Sequence, residues 1–272
     1  MDNTIFNVNA EVDVSILWTG GWDSTYRMVE LSRKSCTVQP IYVYGDKRPS
    51  EKYERIAMQK ILLELNNHKE TKATILPIKF IDKQSIPLNN EITKAYHLIS
   101  KETKLGSQHE WLARLAFLYP GLELGTESAP LGISNILTAI NKYGKLIKDE
   151  KGDGYVLDPN KSVKEGMLVL GNFKFPIIQK TGADMKTNIS LWGYEDVMKN
   201  VWVCHTPVFG EPCGVCHPCE LKIETDMAFL LTKTALKRYA KRNKQPYKFI
   251  YKIIRRISRV SERIIPYNFL KS

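Results

Sequence analysis

Two groups of residues have the types and spacing to do chemistry. The first is Thr19-Gly20-Gly21-Trp22-Asp23-Ser24, which follows the apolar run Val14-Ser15-Ile16-Leu17-Trp18. Glycines without side chains let a backbone turn sharply and crowd its N–H groups around an anion. A helix starting there adds its positive end. Thr19 and Ser24 supply hydroxyls, and Asp23 can orient a cation or phosphates. Such a cradle suits phosphate, pyrophosphate above all. The same residues also suit an ordinary strand-to-helix turn with Asp23 as its N-cap. The second group is Cys204, then eight residues, then Cys213-Gly214-Val215-Cys216-His217-Pro218-Cys219. Two overlapping C-x-x-C steps bring three thiolates to one ion, and Cys204 completes a tetrahedron. Zinc prefers that donor set. An iron–sulfur cluster is the alternative, with redox or disulfide roles behind both. His205 and His217 read as neighbours. Four thiolates leave no open position, so the ion is structural.

The elements that position these groups alternate. Residues 14–18 read as a buried strand and 24–34 as a helix. Residues 38–44 read as a second strand, 51–66 as an amphipathic helix and 73–81 as a third strand. Helices follow at 92–100, 106–119 and 134–143, with a fourth strand at 122–125. Residues 145–158 read as a hairpin about Glu150-Lys151-Gly152-Asp153-Gly154, either a lid or a surface insertion. This order implies βαβ units and a mainly parallel sheet with helices on both faces, an α/β fold. Ligands of such sheets bind at the carboxyl edge, where the Gly20-Gly21 loop would lie. The expected domains are 1–200, a four-cysteine module at 201–232, and a helical extension at 233–272.

Net charge is +11 and unevenly placed. Residues 233–272 carry thirteen Lys and Arg against the single Glu262, while the other 232 residues carry 27 basic and 28 acidic side chains. The basicity belongs to the extension and is not a nucleic-acid signature of the whole chain. Phe249, Ile250, Ile253, Ile254, Ile257, Val260, Ile264 and Ile265 recur there at helical spacing, with Lys252, Arg255, Arg256, Arg259 and Arg263 on the other face. This basic amphipathic helix suits an anionic membrane surface or a partner, or packs on the chain's own body or a dimer mate; nucleic acid ranks third. No apolar run spans a membrane, and Met1-Asp2-Asn3 does not open a signal peptide, so a cytoplasmic location, peripheral at the membrane through the extension, is expected.

The loop pattern, (Ser/Thr)-Gly-Gly-x-Asp-Ser between strand and helix, resembles the pyrophosphate loop of the ATP pyrophosphatases. Trp202-x-Cys204 followed by Cys213-Gly214-x-Cys216-x-x-Cys219 is similar to the zinc motif of the 7-cyano-7-deazaguanine synthase family of the queuosine pathway. Tyr44-Gly45, with Glu54 beyond, resembles that family's Tyr-Gly step after the second strand. The resemblance covers roughly residues 12–232. It implies a Rossmann-like sheet, ATP with Mg2+, a structural Zn2+ on Cys204, Cys213, Cys216 and Cys219, and a homodimer. It implies that a carboxylate attacks the α-phosphate, pyrophosphate leaves, and ammonia displaces AMP to give an amide or nitrile. Nucleotide contacts would fall to Thr19, Gly20, Gly21, Trp22, Asp23, Ser24 and Tyr44, and catalytic roles to Asp23, Ser24 and Arg114.

The chain departs from the pattern. Thr19 stands where Ser is usual, and the family's Pro-Gly-Arg-Asn segment stands as Leu105-Gly106-Ser107-Gln108. Arg114, two helical turns on, is the expected replacement for that arginine. The family's Tyr-Pro-Asp-Cys substrate segment has no counterpart; Glu123-Leu124-Gly125-Thr126-Glu127-Ser128 occupies its place. ATP chemistry is therefore better supported than the deazaguanine substrate. The expectation is an AMP-forming ligase acting on 7-carboxy-7-deazaguanine or a related small carboxylate. A thiolation enzyme, needing a cysteine such as Cys36, and a conjugating or partner-binding homologue are the alternatives. Asp46, Lys47, Arg48, His109, Glu110 and Lys180 are further candidates at the ligand edge, each also readable as a surface or helix-start residue.

Overall fold

The computed structural model describes residues 11–46, 48–129, 134–150, 152–244 and 246–264. Lys47, Lys151 and Ile265 of the expectations above lie outside them. The strand readings become a mostly parallel sheet. Strands β1 (Val14–Leu17), β2 (Thr37–Tyr44), β3 (Thr74–Ile75), β4 (Lys79–Asp82), β5 (Leu122–Leu124) and β8 (Phe173–Lys174) form it in the order β3-β2-β1-β5-β8, with β4 also beside β2. Every pairing in it is parallel. The expected single strand at 73–81 is broken in two. Val38 faces Ile75 but Ile41 faces Lys79, so the register slips by one residue across Pro77. Proline has no N–H to give the ladder, and the chain bulges there.

Side chains alternate across the sheet, as period two requires. Ile16, Trp18, Val38 and Tyr42 enter one apolar core; Leu17, Ile41 and Val43 enter the other. The first core is covered by α1 (Trp22–Ser32), α2 (Glu51–Asn67), α7 (Gly182–Trp192) and α8 (Glu195–Met198). The second lies under α3 (Asn90–Thr103), α4 (Gln108–Leu118), α5 (Asn135–Tyr143) and α6 (Lys164–Leu170). The cysteine segment shares the first core through Val203, Cys204, Cys213 and Cys219. It leads into α9 (His217–Glu224), α10 (Lys233–Lys241) and α11 (Tyr247–Ile264).

A buried ion pair sets α1 over the sheet. Arg27 donates from Nε and Nη2 to the two carboxylate oxygens of Glu123 at 2.8 and 2.7 Å, and both residues are buried. This bidentate geometry fixes the helix axis as well as its height.

The hairpin β6 (Leu146–Lys148) and β7 (Tyr155–Leu157) forms as expected, antiparallel. It is not a lid over the carboxyl edge. Its turn residue Asp153 pairs with Arg27 of α1 and with Lys34 just beyond the end of that helix. Asp153 also lines a cavity of about 170 Å³ with Val14, Cys36 and Gly121, which sit at the amino ends of their strands. The hairpin therefore closes the opposite edge.

Candidate functional site

The loop between β1 and α1 opens at the carboxyl edge. Gly20 has φ +69°, and a Cβ there would sit 3.0 Å from Met58 Cγ and 3.3 Å from the Glu54 carbonyl oxygen. Glycine is required both by the left-handed backbone and by the approach of α2. The N-cap of α1 is Gly21, which has no side chain to cap the first turn. Asp23 is thus a first-turn residue and not the N-cap. The first N–H groups of a helix have no acceptor within it, so here they face the cavity edge uncapped. Gly125, after β5, lets the sheet meet this turn: a Cβ would lie 3.0 Å from the Ser24 nitrogen.

A cavity of about 340 Å³ lies over this turn. Thr19, Gly21, Trp22, Asp23 and Ser24 line it from the loop, Arg48 from the segment between β2 and α2, Glu54 from the first turn of α2, Gln108 and Trp111 from α4, and His205 from the cysteine segment. Among the described residues, Trp22 Nε1, Asp23 Oδ1, Ser24 Oγ and Arg48 Nε are buried without a hydrogen-bond partner. Each such atom costs about 1–3 kcal/mol, and four of them converge on one cavity. That is the pattern of a site that binds a polar ligand.

Arg48 is held by its other end. Its Nη2 donates to Glu54 Oε2 at 3.0 Å, and the Tyr42 hydroxyl donates to the same oxygen at 2.7 Å. Burial and the neighbouring Glu54 charge push the Tyr42 hydroxyl far above its ordinary value.

Lys222, on α9, reaches the loop from below. It is buried, and its Nζ stands 3.8 Å from Asp23 Oδ1 and 3.8 Å from Glu127 Oε1. Burial raises the Asp23 carboxyl, opposed by the Lys222 charge. Burial, then the Asp23 charge, raises Glu127 to about 7, again opposed by Lys222. One ammonium thus serves two carboxylates at the foot of the loop. The ammonium balances the charge of the two carboxylates beneath the loop.

The structure brings Thr19, Gly20, Gly21, Trp22, Asp23 and Ser24 together as the sequence implies. It does not bring Tyr44 or Arg114 to them. Val43 faces the cavity, and its neighbour Tyr44 points to the other sheet face, where the Arg55 guanidinium stands 5.2 Å from its ring. The Arg114 guanidinium is spent on Glu110 Oε1 and Oε2, both at 2.9 Å, and on the carbonyls of Ile86 and Pro87. It clamps α4 to the preceding segment, and Glu110 is occupied with it. Arg48 is the arginine that lines the cavity. Asp46 pairs with Lys83, and Lys180 pairs with Glu30 at 3.1 Å. His109 is buried with Nδ1 3.1 Å from the Gly106 carbonyl oxygen. Lys222 and Glu127 are the residues that sequence reasoning missed. The available signal was that Lys222 follows Cys219 by one helical turn, the pair being the buried positions of α9.

The four cysteine sulfurs lie within 4.8 Å of one another and can hold a metal ion such as zinc. Cys204 Sγ accepts from the Cys213 N–H at 3.1 Å, and Cys213 Sγ accepts from the Cys216 N–H at 3.2 Å and from Thr206 Oγ1 at 3.4 Å. Donors aimed at sulfur favour thiolate. Hydrogen bonding from Cys204 and the other two thiols drives Cys213 far down, while Cys204 is driven up. The quartet cannot carry four thiolates without a cation to neutralise them.

The fold and site together define a mostly parallel α/β protein with a buried polar cavity at the carboxyl edge of its sheet and a four-cysteine centre beside it. Compared with known proteins, the chain matches no family model and no curated sequence.

Proposed function

We propose that the cavity binds the phosphates of ATP and that the chain is an AMP-forming ligase of the ATP pyrophosphatase type, with a Rossmann-like sheet. The observation that carries this reading is the convergence of Trp22 Nε1, Asp23 Oδ1, Ser24 Oγ and Arg48 Nε, buried and without hydrogen bonds, on the uncapped start of α1. A phosphate chain offers acceptors to three of these groups and to the free amides. ATP, when bound, supplies an electrophilic α-phosphorus and pyrophosphate as leaving group. A substrate carboxylate oxygen forms the new bond to phosphorus as the bridging bond to pyrophosphate breaks; ammonia then forms the C–N bond and AMP leaves. Ser24, the α1 amides and Arg48 face the charge that grows on the leaving oxygens, which is preorganised electrostatic stabilisation. Asp23, with Glu127, offers the hard oxygens that Mg2+ prefers. The four cysteines hold structural Zn2+.

The thiolation alternative is disfavoured. Cys36 is the cysteine outside the quartet, and it lies at the amino edge of the sheet with its thiol raised by burial. The acceptor is 7-carboxy-7-deazaguanine or a related small carboxylate. The test is calorimetric ATP·Mg2+ binding together with pyrophosphate release in the presence of ammonium and this acid. Ser24→Ala and Arg48→Ala each weaken nucleotide binding about tenfold, as loss of a buried charge-assisted hydrogen bond predicts. ATP binding that is absent, or unchanged by both substitutions, would overturn the proposal.

A further inference from the structure

We infer that α11 is an in-plane anchor for an anionic lipid surface. Among the described residues no helix is long and apolar enough to cross a membrane, so the helix lies on the surface. One face is docked on the body. Tyr251 and Ile254 pack against the first apolar core, and Ser258 Oγ accepts from the Phe209 N–H at 2.8 Å. With the helix held there, a second face must point outward, since successive residues turn by one part in 3.6. That face carries Phe249, Ile250, Ile253, Ile257 and Val260, each between 44% and 66% exposed. Five large apolar side chains in one exposed stripe are more than scattered surface residues.

Cations run beside the stripe. Lys252, Arg255 and Arg256 occupy the adjacent face, and none has a carboxylate partner among the described residues. Lys252 and Arg255 also line a groove of about 530 Å³ beside the helix with Tyr247, Phe249, Arg242 and Glu220, the last two paired at 3.2 Å. Lys252, Arg255 and Arg256 meet the lipid phosphates while the stripe enters the acyl boundary. The charge pattern selects the occupant. A second copy laid face to face would set its own cations against these, and a segment of net +12 repels itself. A single helix also presents a ridge to its partner, which suits a deformable bilayer.

The experiment is co-sedimentation of the full chain with vesicles of phosphatidylcholine alone or mixed with phosphatidylserine. Two double variants are compared: Ile253→Asp with Ile257→Asp, and Lys252→Glu with Arg256→Glu. All four positions avoid the docked face. The wild type binds the anionic vesicles, less so in high salt, and each double variant binds at least about tenfold less. Failure of the wild type to bind either vesicle overturns the inference, as does binding that both variants leave intact. Dissolution of a homodimer by these substitutions, with vesicles ignored, would assign the face to a second copy instead.

Discussion

Replacing Lys222 by methionine tests the charge arrangement under the loop without reference to any ligand. The side chain keeps its length and loses its ammonium. Over 3.8 Å, at an effective dielectric near 20, each carboxylate contact is worth about 4 kcal/mol before desolvation of the ammonium is subtracted. Breaking buried pairs by removing one partner costs about 3–5 kcal/mol. The Asp23 side chain retains 32% of its surface, so solvent screens its share and the expectation sits at the lower end, about 3 kcal/mol at pH 8. Protonation caps the loss at lower pH. Neutralising a carboxyl whose ordinary value is 4.5 costs about 5 kcal/mol at pH 8 but only about 1 kcal/mol at pH 5. Urea unfolding of both proteins at the two pH values, with metal retained, should give a deficit of about 3 kcal/mol at pH 8 and about 1 kcal/mol at pH 5. A deficit of equal size at both, or one below about 1 kcal/mol at pH 8, refutes the reasoning.

Glu127 gives a companion test by linkage. Its folded value is raised to about 7 from 4.5, so the folded protein holds an extra proton between these values. The stability this contributes is fully present below 4.5 and is lost as pH rises through 7. Glu127→Gln removes the decline, and the variant should gain up to about 3 kcal/mol on the wild type between pH 4.5 and 8; parallel pH profiles in urea melts would sink the idea. Removing metal should also matter, because three of the four cysteines are buried and the quartet shares the first apolar core. Stripping with a chelator is expected to lower the melting temperature by ten degrees or more, on the order of a few kcal/mol for a domain of this size. Restoration by added Zn2+ distinguishes metal loss from damage, and a melt unmoved by the chelator would count against a structural ion.

Much of the site was legible because local chemistry specifies it. The two glycines, the apolar run before them and the hydroxyls around them are adjacent in sequence, so their joint placement needs no tertiary information. The same holds for Cys213, Cys216 and Cys219. The alternation of strands and helices follows from periodicity, and the mostly parallel sheet follows from the alternation. The break at Pro77 could not be read from residue type alone, since β2 carries Pro40 in the middle of the sheet without a break. What could not be read is which distant side chain arrives at the loop. Arg48 and Arg114 are both arginines near the carboxyl edge. The choice between them is made by the Ile86 and Pro87 carbonyls, which capture Arg114, and by Glu54, which holds Arg48 at the cavity. Tyr44 was lost to strand parity: one step along β2, Val43 takes the cavity face.

The cysteine segment explains why two motifs some 180 residues apart act as one unit. The Trp202 N–H donates to the Gly20 carbonyl oxygen at 2.8 Å, so the segment holds the loop's sharpest turn directly. The Trp202 ring stacks on Tyr53 at 4.7 Å, which ties the same residue to α2. His205 lines the cavity, and Lys222, one turn beyond Cys219, supplies the ammonium between Asp23 and Glu127. A flexible return of the chain could not hold an ammonium against two half-buried carboxylates, because the long side chain would lose too much freedom. Four ligands on one ion would fix that return at Cys204 and Cys219 together, and α9, which carries both Cys219 and Lys222, would pass the constraint to the loop. A metal at the four cysteines would therefore act at a distance, ordering the backbone that presents a charge to the loop, although no cysteine lines the cavity.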